Sequence, residues 1–95
     1  MAFMQIVRLK SNLSEEELLR RAREREPQFK AISGILQKYY IKLGDNEYGG
    51  VYIWDSMESI MEFRQSELAA SIPQAYEVIA PPEITISEVM FQLRD

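Results

Sequence analysis

The stretch Tyr48-Gly-Gly-Val-Tyr-Ile-Trp-Asp55 decides the fold, because it reads as a strand with apolar side chains on both of its faces. Side chains alternate across a strand, so Val51 and Ile53 point one way while Tyr52 and Trp54 point the other way. Both pairs favour burial over contact with water. A small antiparallel sheet usually leaves one face in solvent. The strand therefore indicates that something covers the second face of the sheet.

A preceding strand, predicted over 34–43, has a similar two-sided pattern. Three apolar residues are expected on one face: Ile35, Tyr39 and Ile41. The opposite face is expected to mix apolar and basic side chains: Leu36, Lys38, Tyr40 and Lys42. The segment over 44–50 is rich in Gly, Asn and Asp, which predicts a hairpin with a loop of several residues. The two strands should therefore be antiparallel neighbours at the centre of the fold.

Length and composition limit the possible classes of protein. A chain of 95 residues with 46% hydrophobic and 27% charged residues predicts one globular domain over 1–95. The net charge of -4 argues against a nucleic-acid partner, since binding to phosphates needs a clustered basic surface. RNA-recognition domains have a similar element order, but their third-strand motif begins with a basic residue where this chain has Glu47.

The sequence contains no cysteine and no histidine. Disulfides, thiolate nucleophiles, Cys/His zinc sites, histidine-ligated haem and Ser-His-Asp relays are therefore excluded. An acid or base must be a carboxylate, a lysine, a tyrosine or solvent. We predict no metal and no cofactor. The chain also shows no leader and no apolar run of about 18 residues, so we expect a cytoplasmic protein without a membrane partner.

The first half of the chain predicts a strand over 3–9 and then a helix. Ser14 and Glu17 have the spacing of a capping box at the start of that helix, and its buried stripe is expected to contain Leu18, Leu19 and Ala22. The arginines over 20–23 lie among glutamates, which predicts a solvated helix face with ion pairs. Pro27 should end or kink the helix.

The second half of the chain predicts another helix and a final strand. Asp55 or Ser56 caps a helix expected to run to about residue 70. A connection over 71–80 follows and contains Pro73 and Tyr76. Pro81-Pro82 then stiffens the approach to the last strand, which is predicted over 84–93. Its apolar residues change from even-numbered positions, Ile84 and Ile86, to odd-numbered positions after 87–88, which indicates a β-bulge there.

The predicted order is strand, helix, strand, strand, helix, strand. This order is typical of the ferredoxin-like α+β fold, a four-stranded antiparallel sheet with two helices on one face. Two helices cover only one face, so the apolar residues of the other face would be exposed in a single chain. We predict a homodimer in which two sheets pack face to face as a dimeric α/β barrel.

Aromatic side chains and one charged pair are the candidate ligand-binding groups. Tyr39, Tyr40, Tyr52 and Trp54 could line a pocket for a flat organic ligand, or they could simply fill the core and the dimer interface. On the second helix, Arg64 and Glu67 could hold and deprotonate a ligand, or they could form an exposed salt bridge. Lys38 and Lys42 are interpreted as polar residues at the rim of the sheet.

Five segments together resemble the YdhR-like monooxygenases, small members of the dimeric α/β-barrel superfamily that includes the antibiotic biosynthesis monooxygenases. They are Arg23 to Phe29, Gln37 to Tyr40, Tyr48 to Asp55, Phe63 to Leu68, and Ile72-Pro73. The resemblance covers nearly the whole chain. It implies a homodimer and a monooxygenase that oxidises a small aromatic or quinol-like compound without a cofactor.

The haem-degrading branch of that superfamily is a poor match. It uses an Asn on the first strand, a Trp in the second helix and a His soon after that helix. By position this chain offers Val7, Phe63 and the region of Pro73, with no histidine anywhere. Haem degradation by that mechanism is therefore not expected.

For the enzyme hypothesis, chemistry suggests a role for each candidate residue. Tyr39, Trp54 and Phe63 would form the substrate-binding walls of a cleft between helices and sheet, Arg64 or Tyr76 would polarise an oxygen atom, and Glu67 would be the base. The alternative is a non-enzymatic small-molecule-binding or stress-response dimer that uses the same cleft. A third possibility is a dimer that serves only as an assembly partner.

Overall fold

The computed structural model describes residues 2–94 and contains four strands and four helices within them. The strands are β1 Phe3–Lys10, β2 Ile35–Gly44, β3 Glu47–Trp54 and β4 Glu83–Glu88. The helices are α1 Glu15–Lys30, α2 Met57–Arg64, α3 Glu67–Ala70 and α4 Ile72–Ala75.

The four strands form one antiparallel sheet in the order β2-β3-β1-β4. The two central strands, β3 and β1, are therefore flanked by edge strands on both sides. Helices pack on one face of this sheet, since Phe29 of α1 and Ile60 of α2 belong to the same buried cluster as Tyr52. The predicted ferredoxin-like α+β fold is confirmed.

Strand β3 alternates strictly between the two faces. Tyr48, Gly50, Tyr52 and Trp54 are buried on the face that carries the helices, which we call the helix face. Val51 and Ile53 are half-buried on the opposite, open face. The predicted alternation is thus confirmed, and the structure adds that Tyr52 and Trp54 are the pair that packs under the helices.

The core beneath α2 is built from aromatic rings. The rings of Tyr52 and Trp54 stack with centroids 5.7 Å apart and planes 11° from parallel. The ring centroid of Phe63 lies 5.4 Å from that of Trp54 and 6.0 Å from that of Phe29, and the ring planes of both pairs are tilted. Such offset and tilted pairs add to the free energy of burial. The indole of the fully buried Trp54 donates a hydrogen bond of 3.0 Å to the amide oxygen of Gln5, which is also buried.

Helix α1 differs from its prediction in its first turn, and it does not end at Pro27. The Ser14 hydroxyl accepts a hydrogen bond from the Glu17 amide, so Ser14 caps the helix, but the Glu17 carboxylate binds Arg20 and Arg21. The reciprocal half of the capping box is therefore missing. The helix continues through Pro27 to Lys30, because Phe29 is buried against the sheet and this packing holds the last turn.

The buried stripe of α1 consists of Leu18, Ala22 and Phe29, whereas Leu19 is exposed. The predicted solvated face is confirmed: Arg20 pairs with Glu17 and Glu24, and Arg21 pairs with Glu17 and Glu77.

The hairpin between β2 and β3 is tighter than predicted. Only Asp45 and Asn46 form its turn, and Asn46 has a φ of 60°, a conformation that Asn tolerates. At the other end of the hairpin, a β-bulge lies between Ile35 and Gln37. Ile35 pairs with Trp54 on the helix face, so the prediction that it shares a face with Tyr39 is wrong.

The chain after β3 also departs from the predicted boundaries. Ser56 caps α2 by accepting from the Ser59 amide, and the single helix predicted to run to about residue 70 is divided into α2 and α3. The short helix α4 lies in the segment predicted to be a connection. Strand β4 pairs with β1 in regular register and ends at Glu88, so the predicted bulge and the extension to 93 are wrong. After Val89 the chain has three exposed apolar residues: Met90, Phe91 and Leu93. No helix within residues 2–94 is both long and apolar enough to cross a membrane.

Gly49 provides a test of the central strand pairing. A Cβ at Gly49 would overlap the backbone carbonyl oxygen of Val7 on β1, whereas a Cβ at Gly44 would find its nearest atom at 3.7 Å. Because backbone cannot move aside as a side chain can, we expect Gly49→Ala to lower the free energy of unfolding by roughly 2 kcal/mol. Urea denaturation measures this, with Gly44→Ala as the matched control. Equal stability of the two variants would contradict the observed register.

Candidate functional site

A cavity of about 220 Å³ lies between α1 and the helix face of the sheet. Its walls come from three parts of the chain: the inward side of α1, strands β1 to β3, and the segment around α4. They include Val7, Leu9, Leu18, Ala22, Lys38, Tyr40, Tyr48, Gly50, Tyr52, Ile72 and Tyr76. Pockets for drug-sized ligands are typically larger, about 300–1,000 Å³. The cavity therefore suits a ligand of one or two rings.

Gly50 lies in the cavity wall, where Tyr52 and Lys38 pack closely against the backbone of β3. It lies between Tyr48 and Tyr52 on the helix face of β3. The three other buried positions of this strand, Tyr48, Tyr52 and Trp54, all carry large rings. A Cβ at Gly50 would lie 3.3 Å from a ring carbon of Tyr52 and 3.4 Å from Cε of Lys38. Along β3, Gly50 lies between two buried clusters of the core, one around Tyr52 and Trp54 and the other around Tyr48 and Tyr76.

Lys38 is the central polar group of the cavity. It pairs with Tyr52 across β2 and β3, which puts its side chain on the helix face. Its Nζ lies 3.5 Å from the ring centroid of Phe29, 4.3 Å from that of Tyr40 and 4.5 Å from that of Tyr52. Ring faces stabilise an ammonium group, although less well than water and a carboxylate would.

Burial, and secondarily the positive charge of Arg25, lowers the pKa of Lys38 from 10.5 to about 7. Both the amine and the ammonium form are therefore accessible near neutral pH. An amine can accept a proton from an acidic ligand, and an ammonium can stabilise a negative charge. A lysine whose pKa is lowered by burial in a cavity is typical of functional sites.

Three tyrosines supply phenols to the same cavity. Burial raises the pKa of Tyr40 to about 12 and also raises the pKa of Tyr52 and of Tyr76. These phenols therefore stay neutral under ordinary conditions and can donate hydrogen bonds. The walls thus combine flat apolar faces with a few polar groups, which favours a flat ligand that carries oxygen atoms.

The entrance of the cavity carries one balanced pair of charges. Nζ of Lys42 lies 2.9 Å from a carboxylate oxygen of Glu15, and both side chains are more than half exposed. Lys38 and Lys42 are both predicted to lie at the rim of the sheet. Lys42 lies there, whereas Lys38 points into the cavity. A second recess of about 300 Å³ adjoins the cavity along α1 and shares Leu19, Ala22 and Tyr40 with it.

The predicted substrate-binding residues are distributed over three environments. Tyr76 is buried and lines the cavity. Trp54 and Phe63 lie in the aromatic core beside Tyr52, one layer away from the cavity walls. Tyr39 pairs with Val51 on the open face and is 55% exposed.

The predicted catalytic pair lies outside the cavity walls. Arg64 ends α2 and Glu67 begins α3, and both are exposed. Sequence reasoning missed Lys38 as a cavity residue, because a lysine on a strand is normally a rim residue. The available signal was its spacing, since Lys38 shares strand parity with Tyr40 and Lys42. Within residues 2–94, no group of three or more acidic side chains is arranged to hold a metal ion.

Comparison with known proteins identifies relatives in structure only. No family model and no curated protein matches the sequence. A protein of unknown function from Nitrosomonas europaea superposes with a TM-score of 0.80 at 20% identity, covering 99% of this chain and 94% of that one. A candidate antibiotic biosynthesis monooxygenase from Bordetella bronchiseptica gives 0.78 at 16% identity, covering 95% and 98%.

SnoaB, a cofactor-independent oxygenase from Streptomyces nogalater, superposes with a TM-score of 0.77 at 11% identity and covers 99% of this chain and 98% of that one. At these identities the likeness shows a shared fold. The chain therefore has the fold of antibiotic biosynthesis monooxygenase-like proteins.

The pKa of Lys38 predicts a pH dependence of stability. Because the folded-state value of about 7 lies below the ordinary 10.5, the unfolded chain binds more protons between these pH values. The free energy of unfolding should therefore rise from about pH 7 toward pH 10. Lys38→Met should remove this rise and stabilise the protein at pH 6 by on the order of 3 kcal/mol, since ring contacts offset part of the burial penalty.

Urea denaturation at several pH values measures both effects. The matched control is Lys30→Met, which replaces an exposed lysine in the last turn of α1 and should keep the rise. The rise should end near pH 10, where the tyrosines of the unfolded chain ionise while Tyr40, with a pKa of about 12, stays neutral in the fold. A wild-type stability that is flat from pH 7 to 10 would contradict the assignment.

Proposed function

We propose that this protein is a cofactor-independent monooxygenase that acts on a small aromatic or quinol-like compound in the cavity beneath α1. The observation that carries the proposal is a titratable amine, that of Lys38, enclosed by the rings of Phe29, Tyr40 and Tyr52 in a mostly apolar cavity. The fold shared with SnoaB, described as a cofactor-independent oxygenase, supports the same reaction class. The YdhR-like subfamily and the cytoplasmic location remain predictions.

The proposed reaction needs only an ionisable substrate and molecular oxygen. A base removes a proton from the substrate, and the resulting anion transfers an electron to O₂. Recombination forms a carbon–oxygen bond and a peroxide on the substrate. Loss of water then leaves a carbonyl, so that one oxygen atom enters the product, the other becomes water, and a CH₂ group is oxidised. An apolar cavity favours such chemistry by excluding water from the anion.

The chain offers two candidates for each chemical role. Lys38 in the cavity and Glu67 on α3 are the candidate bases, and Tyr76 and Arg64 are the candidate groups that polarise an oxygen atom. Trp54 and Phe63 would support the wall formed by Tyr52 from behind. Tyr39 would contact a ligand only if the open face of the sheet held one. Proximity to the cavity favours Lys38 and Tyr76.

Oxygen consumption with a panel of quinols and anthrone-like compounds tests the function. If Lys38 is the base, Lys38→Met should lower the rate at least about 100-fold, while Glu67→Gln keeps most of it. If Tyr76 polarises the oxygen atom, Tyr76→Phe should lower the rate by about 10- to 100-fold and Arg64→Ala should not. If instead Glu67→Gln and Arg64→Ala lower the rate and the other two variants keep it, Glu67 is the base and Arg64 polarises the oxygen atom.

The second candidate function is a non-enzymatic small-molecule-binding protein that uses the same cavity. Its support is the completeness of the cavity walls within one chain, which is sufficient for binding without any reaction. A ligand at 100 times its Kd should raise the free energy of unfolding by about 2.7 kcal/mol. Saturable stabilisation by the panel without oxygen consumption would reject the enzyme and support this alternative.

We also propose a homodimer formed through the open face. In a single chain this face presents a contiguous apolar surface from the two central strands and β2: Met4, Ile6, Tyr39, Ile41, Val51 and Ile53. A second copy offers the same surface, as a two-fold interface requires. Contiguous apolar surfaces of this kind are uncommon on monomers.

Light scattering on a sizing column tests the dimer. Val51→Glu puts a charge at the centre of the open face and should convert a dimer at about 10 micromolar into a folded monomer, because burying an unpaired carboxylate is costly. The matched control is Met61→Glu on α2, where Met61 is an exposed apolar residue of the helix layer. A wild-type monomer, or a Val51→Glu dimer, would contradict the proposal.

A further inference from the structure

We infer that the cavity beneath α1 takes its ligand as an aromatic anion, with the Lys38 side chain as the counterion. The inference names the substrate class for the proposed function and rests on it only in using the same cavity. Transfer of a proton from a neutral substrate to the Lys38 amine, and binding of a ready-made anion to the Lys38 ammonium, give the same ion pair. Its test is a binding measurement, which does not depend on turnover.

The charges around the cavity do not balance. Three charged residues line it: Glu15, Lys38 and Lys42. Glu15 and Lys42 neutralise one another at the entrance. Among the residues that the structure describes, no carboxylate forms an ion pair with Lys38. The cavity therefore carries one positive charge that nothing in its walls compensates.

A second cation lies behind the same wall. The guanidinium carbon of Arg25 is 5.8 Å from the ring centroid of Phe29 and 5.6 Å from that of Tyr76. Arg25 donates hydrogen bonds to the Ser71 hydroxyl and, at 3.4 Å, to the Leu68 carbonyl, but its Nε is buried without a partner. No acid in the described part of the chain pairs with it. Two cations thus share the Phe29 ring, and an anion would relieve their mutual repulsion.

The walls specify an aromatic ligand over an inorganic anion. Around Lys38 they consist mostly of ring faces and aliphatic side chains, with the phenols of Tyr40, Tyr52 and Tyr76 as neutral donors. A small hydrated anion would leave these surfaces uncovered, whereas a flat ring can pack on them and place its carboxylate or phenolate near Nζ. The shared chemistry is a ring with one ionised oxygen group.

Protonation of Lys38 should couple to binding. Its surroundings comprise Arg25 from α1, Tyr40 from β2, Tyr52 from β3 and Tyr76 after α4, with Glu26 of α1 across the adjoining recess and Glu15 with Lys42 at the entrance. Because the pKa of Lys38 is about 7, an anion that raises it will bind with uptake of a proton above that pH. Affinity for a permanent anion should therefore fall as pH rises through 7.

Titration calorimetry with two matched probes tests the inference. We expect the anion 2-naphthoate to bind at least 10-fold more tightly than its neutral analogue 2-naphthamide at pH 6. This preference should shrink at pH 8.5, because less Lys38 is protonated before binding. At that pH the measured binding enthalpy should change with the ionisation enthalpy of the buffer, which shows that the complex takes up a proton. Lys38→Met should abolish the preference and the proton uptake and keep the affinity for 2-naphthamide, whereas Lys30→Met should change neither. Circular dichroism checks that each variant is folded.

A third probe separates the two kinds of anion. If the cavity prefers phenolates, 4-nitrophenol should bind as its yellow phenolate at a pH below its ionisation in water, and Lys38→Met should remove the shift. An anionic preference that depends on Lys38 for either probe supports the inference. Equal binding of neutral and anionic probes, a preference that survives Lys38→Met, or no binding of any probe would overturn it. Neither 2-naphthoate nor 4-nitrophenol need react with oxygen, so these results stay separate from the oxygen-consumption assay.

Discussion

The division of the core on the helix face into two buried clusters, with Gly50 between them on β3, is the constraint on which the rest of the structure depends. On either side of Gly50 along the helix face, Tyr48 and Tyr52 pack into different buried clusters. Helix α1 bridges the two clusters, contributing Phe29 to one and Leu18 and Ala22 to the other. Residues of both clusters line the cavity beneath α1, where strands β1, β2 and β3 form its floor. The cavity is a consequence of how the core is divided.

Lys38 has an energetic cost that the fold does not recover by pairing it with an acid. Its amine lies against ring faces, and burial lowers its pKa to about 7. Apolar residues of similar length, such as methionine, would fill the position more favourably for stability. Retention of an unpaired cation in a cavity is typical of sites whose chemistry needs one. Lys38 is therefore a stronger candidate for a chemical role than the exposed Arg64 and Glu67.

The element order and the two-sided pattern of β3 could be predicted from the sequence, because strand parity and helix caps are local properties. The position of Lys38 could not, since it depends on which face of the sheet the helices cover. Tyr39 and Tyr40 are adjacent and chemically alike, yet one lies on the open face and the other lines the cavity. The end of β4 was also missed, because the apolar pattern over 89–93 favours a strand but finds no pairing partner on β1.

The bulge between Ile35 and Gln37 has a consequence for how the protein can change. In a regular strand, residues 35 and 38 would point to opposite faces. The extra residue lets Ile35 pack beside Trp54 while Lys38 and Tyr40 also point inward. One strand is thereby divided into a segment that anchors the core and a segment that forms the cavity wall. Substitutions can then alter ligand preference after the bulge without disturbing the anchor before it, so selection can act on the two properties separately.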